Sequence, residues 1–158
     1  MVNNVSQASS SSTPSTTKDD PLALSNQLCF SLYATSLAMT QLYKPLLEPH
    51  GLTYPQYLIL LILWESDGLM LRDIADRLGQ KPGAVTPVVK RMEIDGWVVR
   101  HRSLADERQL EICLTKKGKR LRKTAIEINA CISQSCHADV KSLMSLKNQL
   151  DDLRKELK

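Results

Sequence analysis

The sequence predicts a mainly α-helical fold with one small β-hairpin, arranged as a winged helix-turn-helix between longer helices. Three observations carry this. Two short segments with helical apolar spacing, 71–78 and 82–94, flank a Gly-containing turn, the pattern of a helix-turn-helix. Two strand-like runs, 97–102 and 109–114, follow directly with a charged tip between them and read as a hairpin, hence a wing. Further helix-period segments stand on both sides, at about 24–48 and 115–157.

Residues 1–20 are rich in Ser and Thr and nearly devoid of apolar side chains, so a disordered tail is expected there. Residues 21–158 are expected to form a single domain. The first helix, about 24–48, carries Leu28, Leu32, Leu37, Ala38, Leu42 and Leu46 at helical spacing. Ser25 or Asn26 can cap it, and Pro49 and Gly51 end it. Thr53-Tyr54-Pro55-Gln56 reads as a capping box with Pro in the first turn, opening a buried helix to about Glu65. Asp67-Gly68 is a turn. Leu71, Ile74, Ala75 and Leu78 mark a short helix closed by Gly79. Val85, Val88, Val89 and Met92 form the apolar face of the next, ended by Asp95-Gly96. In the second strand of the hairpin Leu110, Ile112 and Leu114 alternate onto one face. Thr115 caps a long helix to about Cys136, and Asp139 caps a last one with Leu143, Leu146, Leu150, Leu153 and Leu157 at heptad spacing. The winged unit therefore spans about 53–114, and the flanking helices, about 24–48 and 115–157, suit dimerisation.

Composition narrows the function classes. The net charge is +4, which permits nucleic acid as a partner without requiring it. Residues 70–108 hold eight Lys/Arg against six Asp/Glu, too small a surplus to identify DNA binding by charge alone. The longest apolar run, 58–64, is far short of a membrane span, no signal peptide is recognisable, and a cytoplasmic protein with reduced thiols is expected. No catalytic set, glycine-rich phosphate loop or cofactor motif is found. Cys131, Cys136 and His137 lack a fourth ligand nearby, so no metal is expected.

Two groups of residues carry chemistry. In a helix-turn-helix the second helix enters the major groove. Lys81 and Thr86 lie near its start and Lys90 and Arg91 further along, while Arg100, Arg102 and Arg108 lie on the wing. An Arg at a hairpin tip suits a narrow A·T-rich minor groove, and Asp106 could orient Arg108. The alternative is a winged fold used for protein contacts, with a solvated basic hairpin. The second group centres on Cys29. A Cys among apolar residues is commonly a small buried hydrophobe. Here it falls near a helix start, where the dipole favours a thiolate, with Tyr33 one turn on and Tyr43, Tyr54 and Tyr57 nearby in sequence as hydroxyl donors. Cys131 or Cys136 could resolve an oxidised Cys29 as a disulfide, or be ordinary helix cysteines. Cys113 is assigned no role.

Leu28-Cys29-Phe30 through Tyr33, Tyr43-Lys44-Pro45-Leu46-Leu47 and Leu52-Thr53-Tyr54-Pro55-Gln56-Tyr57 closely resemble the organic hydroperoxide resistance repressors (OhrR type) of the MarR family. Thr86-Pro87, Lys90-Arg91-Met92-Glu93, Asp106-Glu107-Arg108 and Leu114-Thr115 continue the resemblance, which covers roughly 25–125. It implies a homodimeric repressor of double-stranded operator DNA, without enzymatic turnover, whose thiol at Cys29 is oxidised by organic hydroperoxide. It implies that tyrosines at Tyr43 and Tyr54 hydrogen-bond that thiol from the partner subunit. It also implies a possible second thiol on the long helix, with Cys131 slightly favoured over Cys136. The start of the DNA-reading helix, Lys81-Pro82-Gly83-Ala84, departs from the small polar residues usual in that family. Two other functions compete: a ligand-responsive MarR-type regulator with an inert Cys29, and a thiol peroxidase.

Overall fold

The computed structural model describes residues 20–102, 110–136 and 139–157, which divide into two compact units, one ending at Met39 and one beginning at Thr40. The first unit holds a 3-10 turn, Leu24–Asn26, and the start of α1 (Leu28–Leu47). The helix thus begins four residues later than the spacing predicts, with Ser25 and Asn26 in the preceding 3-10 turn. Local side-chain bonds compete for this stretch. Asn26 Nδ2 donates to the Asp20 carbonyl at 2.9 Å and Gln27 Nε2 to the Pro21 carbonyl at 2.6 Å.

The second unit contains the winged fold. Its elements are α2 (Tyr54–Glu65), β1 (Leu69–Met70), α3 (Leu71–Leu78), α4 (Pro82–Ile94), β2 (Val98–Arg102), β3 (Leu110–Leu114), α5 (Lys116–Ser135) and α6 (Val140–Glu156). Thr53 and Gln56 form the expected capping box at the start of α2, with the Thr53 N–H donating to Gln56 Oε1 at 2.8 Å. That bond satisfies Gln56, the one polar side chain of the described residues that is buried with the core. α2 is apolar on most sides because it is the central helix: Tyr57, Ile59, Leu60 and Leu63 are all buried. Around it lie Ile74 and Ala75 of α3, Val85, Val89 and Met92 of α4, Ile112 and Leu114 of β3, and Leu121, Ala125, Ile128 and Ile132 of α5.

The sheet differs from the expected hairpin. It has three antiparallel strands in the order β1-β3-β2, with Leu69 opposite Ile112 and Val98 opposite Leu114. β1 is too short to show alternation in the sequence. Ile112 and Leu114 are buried as predicted, but Leu110 is exposed where the wing leaves the body.

Asp67 ties this corner together. Its Oδ1 accepts from the N–H groups of Gly68 at 3.1 Å and Leu114 at 2.8 Å, and its Oδ2 pairs with Lys119 of α5 at 3.1 Å. A second joint links the end of α4 to the start of α5. Thr115 accepts from the Gly118 N–H at 3.1 Å as the helix cap, and its hydroxyl donates to the Gly96 carbonyl at 2.7 Å. Lys117 lies over the Trp97 ring at 3.8 Å and donates to the Asp95 carbonyl at 2.8 Å. Trp64 Nε1 donates to the Gly118 carbonyl at 3.0 Å.

Two helices leave apolar surface open. Asp139 caps α6 by accepting from the Ser142 N–H at 3.0 Å, yet α6 buries no residue: Val140, Met144, Leu146 and Leu150 are all exposed. Within α1, Leu47 is buried, but Leu28, Phe30, Tyr33 and Leu37 are exposed.

Candidate functional site

Cys29 is the second residue of α1 and is exposed. Tyr33, one turn on, is exposed too. The other three tyrosines gather in the second unit, brought together by the last turns of α1 and the first turns of α2. The Tyr43 ring lies 4.8 Å from that of Tyr54 and 5.6 Å from that of Tyr57, and Tyr57 meets Trp64 edge-on at 6.1 Å.

Burial governs the hydroxyls of this cluster. It pushes the pKa of Tyr43 up to about 12, and charge on Tyr54, Tyr57 and Cys136 adds to the shift. Burial also raises the pKa of Tyr54, and burial together with Tyr54 raises that of Tyr57. At neutral pH all three are phenols, able to donate to an anion. Cys136, at the C-terminal cap of α5, is therefore close enough to Tyr43 to act on its ionisation, and it is half-buried. Cys131, one and a half turns earlier, is exposed. The sequence missed this pairing because Tyr43 and Cys136 lie in elements far apart along the chain. Cys113 is half-buried on β3, and burial beside Asp67 and Glu111 pushes its thiol pKa up, which makes it less reactive.

Two cavities border the tyrosines. One of about 450 Å³ is lined by Thr40, Gln41, Lys44, Leu47, Leu52 and Tyr54, among others. The other, about 330 Å³, lies between Tyr43, Tyr57, Trp64, Arg122 and Asn129. Among the described residues no three His, Cys, Asp or Glu side chains form a group able to hold a metal ion. His137 lies outside the described residues.

The predicted DNA-facing residues that are described lie on α4 and β2. Gly79, with φ of +66°, closes α3 in the left-handed conformation and lets α4 begin three residues later. Lys81 is the N-cap residue of α4 and is exposed, at the positive end of the helix dipole. Lys90 and Arg91 are exposed on the same helix, and Arg91 pairs with Asp95 at 3.1 Å. The Thr86 hydroxyl donates back to the Pro82 carbonyl at 2.8 Å. Arg102 ends β2 and is exposed. Arg100 is held more fully than Arg91, through two nitrogens and with about half the exposure. Its Nε donates to Glu93 Oε2 at 2.8 Å, and this bond holds the Glu93 carboxyl below the usual carboxylate range. Asp106 and Arg108 lie outside the described residues.

The transcriptional regulator SarA/Rot family matches residues 41–125. The chain is 45% identical over 131 residues to the organic hydroperoxide resistance transcriptional regulator of Bacillus subtilis strain 168, covering 81% of this chain and 89% of that protein. It is 50% identical over 107 residues to the HTH-type transcriptional regulator TtmR of Methylorubrum extorquens strain PA1, covering 68% of this chain but only 55% of TtmR. Among solved structures, reduced AbfR bound to DNA superposes with a TM-score of 0.73 at 37% identity, over 89% of this chain and 96% of that one. AbfR from Staphylococcus epidermidis has also been solved in a disulfide form, which matches with a TM-score of 0.59 at 38% identity over 89% of this chain and 93% of that one. With more than half its length matched by the family and a relative this similar over nearly all of its own length, the chain belongs to the SarA/Rot group of MarR-like winged-helix transcriptional regulators, together with the organic hydroperoxide resistance regulators.

Proposed function

We propose that the chain is a cytoplasmic, homodimeric, DNA-binding transcriptional repressor that senses organic hydroperoxide through Cys29. The observation that carries this is an exposed thiol in the first turn of α1, in a chain 45% identical to a hydroperoxide resistance regulator. The Cys29 thiolate attacks the peroxide O–O bond. A sulfur–oxygen bond forms, the alkoxide leaves and takes up a proton as the alcohol, and a sulfenic acid remains. A second thiolate then attacks that sulfur, displacing hydroxide and closing a disulfide. Phenols that stay protonated, Tyr43 and Tyr54 among them, suit a donor role toward the sulfur. Between the two thiols of the long helix we favour the half-buried Cys136, which acts on the ionisation of Tyr43, over the exposed Cys131. The sulfur consumes one peroxide per cycle of reduction, so no catalytic turnover is needed.

On DNA, Lys81 and Lys90 would meet phosphates, with the α4 N-terminus as an anion site, while Thr86, its hydroxyl bonded to the Pro82 carbonyl, would meet bases and Arg91 and Arg102 would extend the phosphate contacts. Arg108, oriented by Asp106, would enter the minor groove. Unpartnered apolar side chains on α1 and α6 support a second copy as the partner.

The decisive test treats the chain with one equivalent of cumene hydroperoxide and follows intact mass and DNA binding together. Wild type should gain oxygen or lose two hydrogens and release DNA. Cys29→Ser should bind DNA and keep it. The cavity beside Tyr54 favours one other reading, a regulator released by a small ligand with Cys29 inert. Release of Cys29→Ser as readily as wild type would favour that reading and sink the redox one. Consumption of many equivalents of peroxide per thiol, with a reductant present, would instead point to a peroxidase.

A further inference from the structure

Arg100 looks in sequence like one more phosphate contact on the wing. Its guanidinium is already engaged. Nε donates to Glu93 Oε2 at 2.8 Å, and the terminal nitrogen Nη2 of the same group pairs with the same carboxylate. About a third of each side chain is exposed, so the pair is partly shielded from water. The stem of Arg100 is fixed as well. It lines a small cavity with Leu71, Thr86, Val89, Leu110 and Ile112, where α3, α4 and the wing meet. Glu93 belongs to the last turn of α4, and Arg100 sits in mid-strand on β2, opposite Ile112 of β3. The pair thus bridges the DNA-reading helix and the root of the wing across the Asp95–Gly96 turn, seven residues apart in sequence.

We infer that Glu93 and Arg100 act together as positioning residues that fix the angle between α4 and the wing, and that Arg100 is not itself a phosphate contact. The inference rests on the reading of this chain as a DNA-binding regulator. A guanidinium held by a carboxylate has two N–H groups committed and its charge largely neutralised locally, which makes it a poor counterion for a phosphate. An exposed pair of this kind adds little to folding stability, so its use lies in geometry. It sets where the wing tip arrives when α4 is seated in the major groove.

The test measures affinity against salt for a duplex selected by wild-type chain from a random-sequence pool. The variants are Arg100→Gln, Glu93→Gln and the double variant, with Lys81→Ala as a reference for loss of a phosphate contact. Positioning predicts that each single variant weakens binding, roughly three- to thirtyfold, the span that couplings of this size cover. The double variant should weaken it no more than either single one. The salt slope should stay near that of wild type in Arg100→Gln, while it falls by about one in Lys81→Ala. The Arg100 and Glu93 variants, but not Lys81→Ala, should also lose discrimination against a duplex whose A·T steps facing the wing are replaced by G·C, whereas a loss of folded protein would leave that ratio unchanged. A slope lower by about one in Arg100→Gln, additive losses, or tighter binding by Glu93→Gln would overturn the inference and return Arg100 to the phosphate contacts. Failure of wild type to select any duplex would instead remove the DNA-binding reading itself.

Discussion

A methyl group at residue 118 has nowhere to go. A Cβ on Gly118 would run into the Trp97 carbonyl and sit 3.1 Å from Leu114 Cδ2. Gly118→Ala should therefore destabilise the chain by about 1–3 kcal/mol despite the better helix propensity of Ala, seen as a lower urea midpoint with an unchanged slope. Tyr43 offers a second test at this scale. Its folded pKa, about 12, lies above the unfolded value near 10.0, so the folded state holds the proton more tightly. The stability this contributes is fully present below pH 10.0 and is lost as pH rises through about 12. Phenolate absorbance should show Tyr43 ionising in that upper range, and Tyr43→Phe should flatten the alkaline loss of stability. A Tyr43 that titrates near 10.0 would contradict the burial of the cluster. Single residues differ in how legible they are. Thr53, Gln56, Thr115 and Asp139 announce themselves because a cap acts on its own next turn. The need for glycine at 118 does not, because it is imposed by a backbone carbonyl more than twenty positions earlier in the chain.

Among the elements, the helices of the winged unit are the most legible, since both faces of their pattern are resolved within one chain. α4 runs from Pro82 to Ile94 as its spacing and end residues predict. The start of α1 was not legible, because the choice between helix and turn there hangs on side-chain bonds to Asp20 and Pro21. β1 was missed for want of length: two residues carry no period, and only pairing with β3 makes them a strand. The α5 cap gives the element-scale prediction. The Thr115 hydroxyl both accepts from Gly118 and donates to Gly96, so it serves the helix start and the preceding turn at once. Thr115→Ala should cost about 1–2 kcal/mol, at the upper end for a cap, while Thr115→Ser should keep most of it. Equal losses for both would mean that the methyl, not the hydroxyl, matters.

For the whole molecule, the apolar side chains left open on α1 and α6 are the largest departure from a self-contained fold. Helical spacing in α1 and heptad spacing in α6 are visible in the sequence, but a pattern of apolar residues does not say whether its cover comes from the same chain. The thiol site was legible only in part for a similar reason. Residue types pointed to Cys29 and the tyrosines, whereas the influence of Cys136 on Tyr43 joins residues in elements far apart along the chain. The prediction at this scale is a peroxide-dependent crosslink. Wild type should run as a covalent dimer on non-reducing gels after cumene hydroperoxide, and Cys29→Ser should not. Cys136→Ser should also lose the band and Cys131→Ser should keep it. The reverse pattern would restore Cys131 as the partner thiol, and a wild type without any band would make this a one-cysteine sensor.

The joint between the end of α4 and the start of α5 has a mechanical consequence. Thr115, Lys117 and Trp97 bolt the root of the wing to the first turn of α5 through a ring, a hydroxyl and an ammonium. With that corner held together, α5 would act as an arm with the winged unit at one end. At 1.5 Å per residue its 20 residues make an arm of about 30 Å, and swinging it by about 10° carries the head about 5 Å. In the proposed dimer, two heads moving in opposite directions would miss half-sites about 34 Å apart by a wide margin. Under the proposed redox switch, a change at the end of the arm where Cys136 lies would be felt at the other end as a misplaced grip, with no unfolding in between.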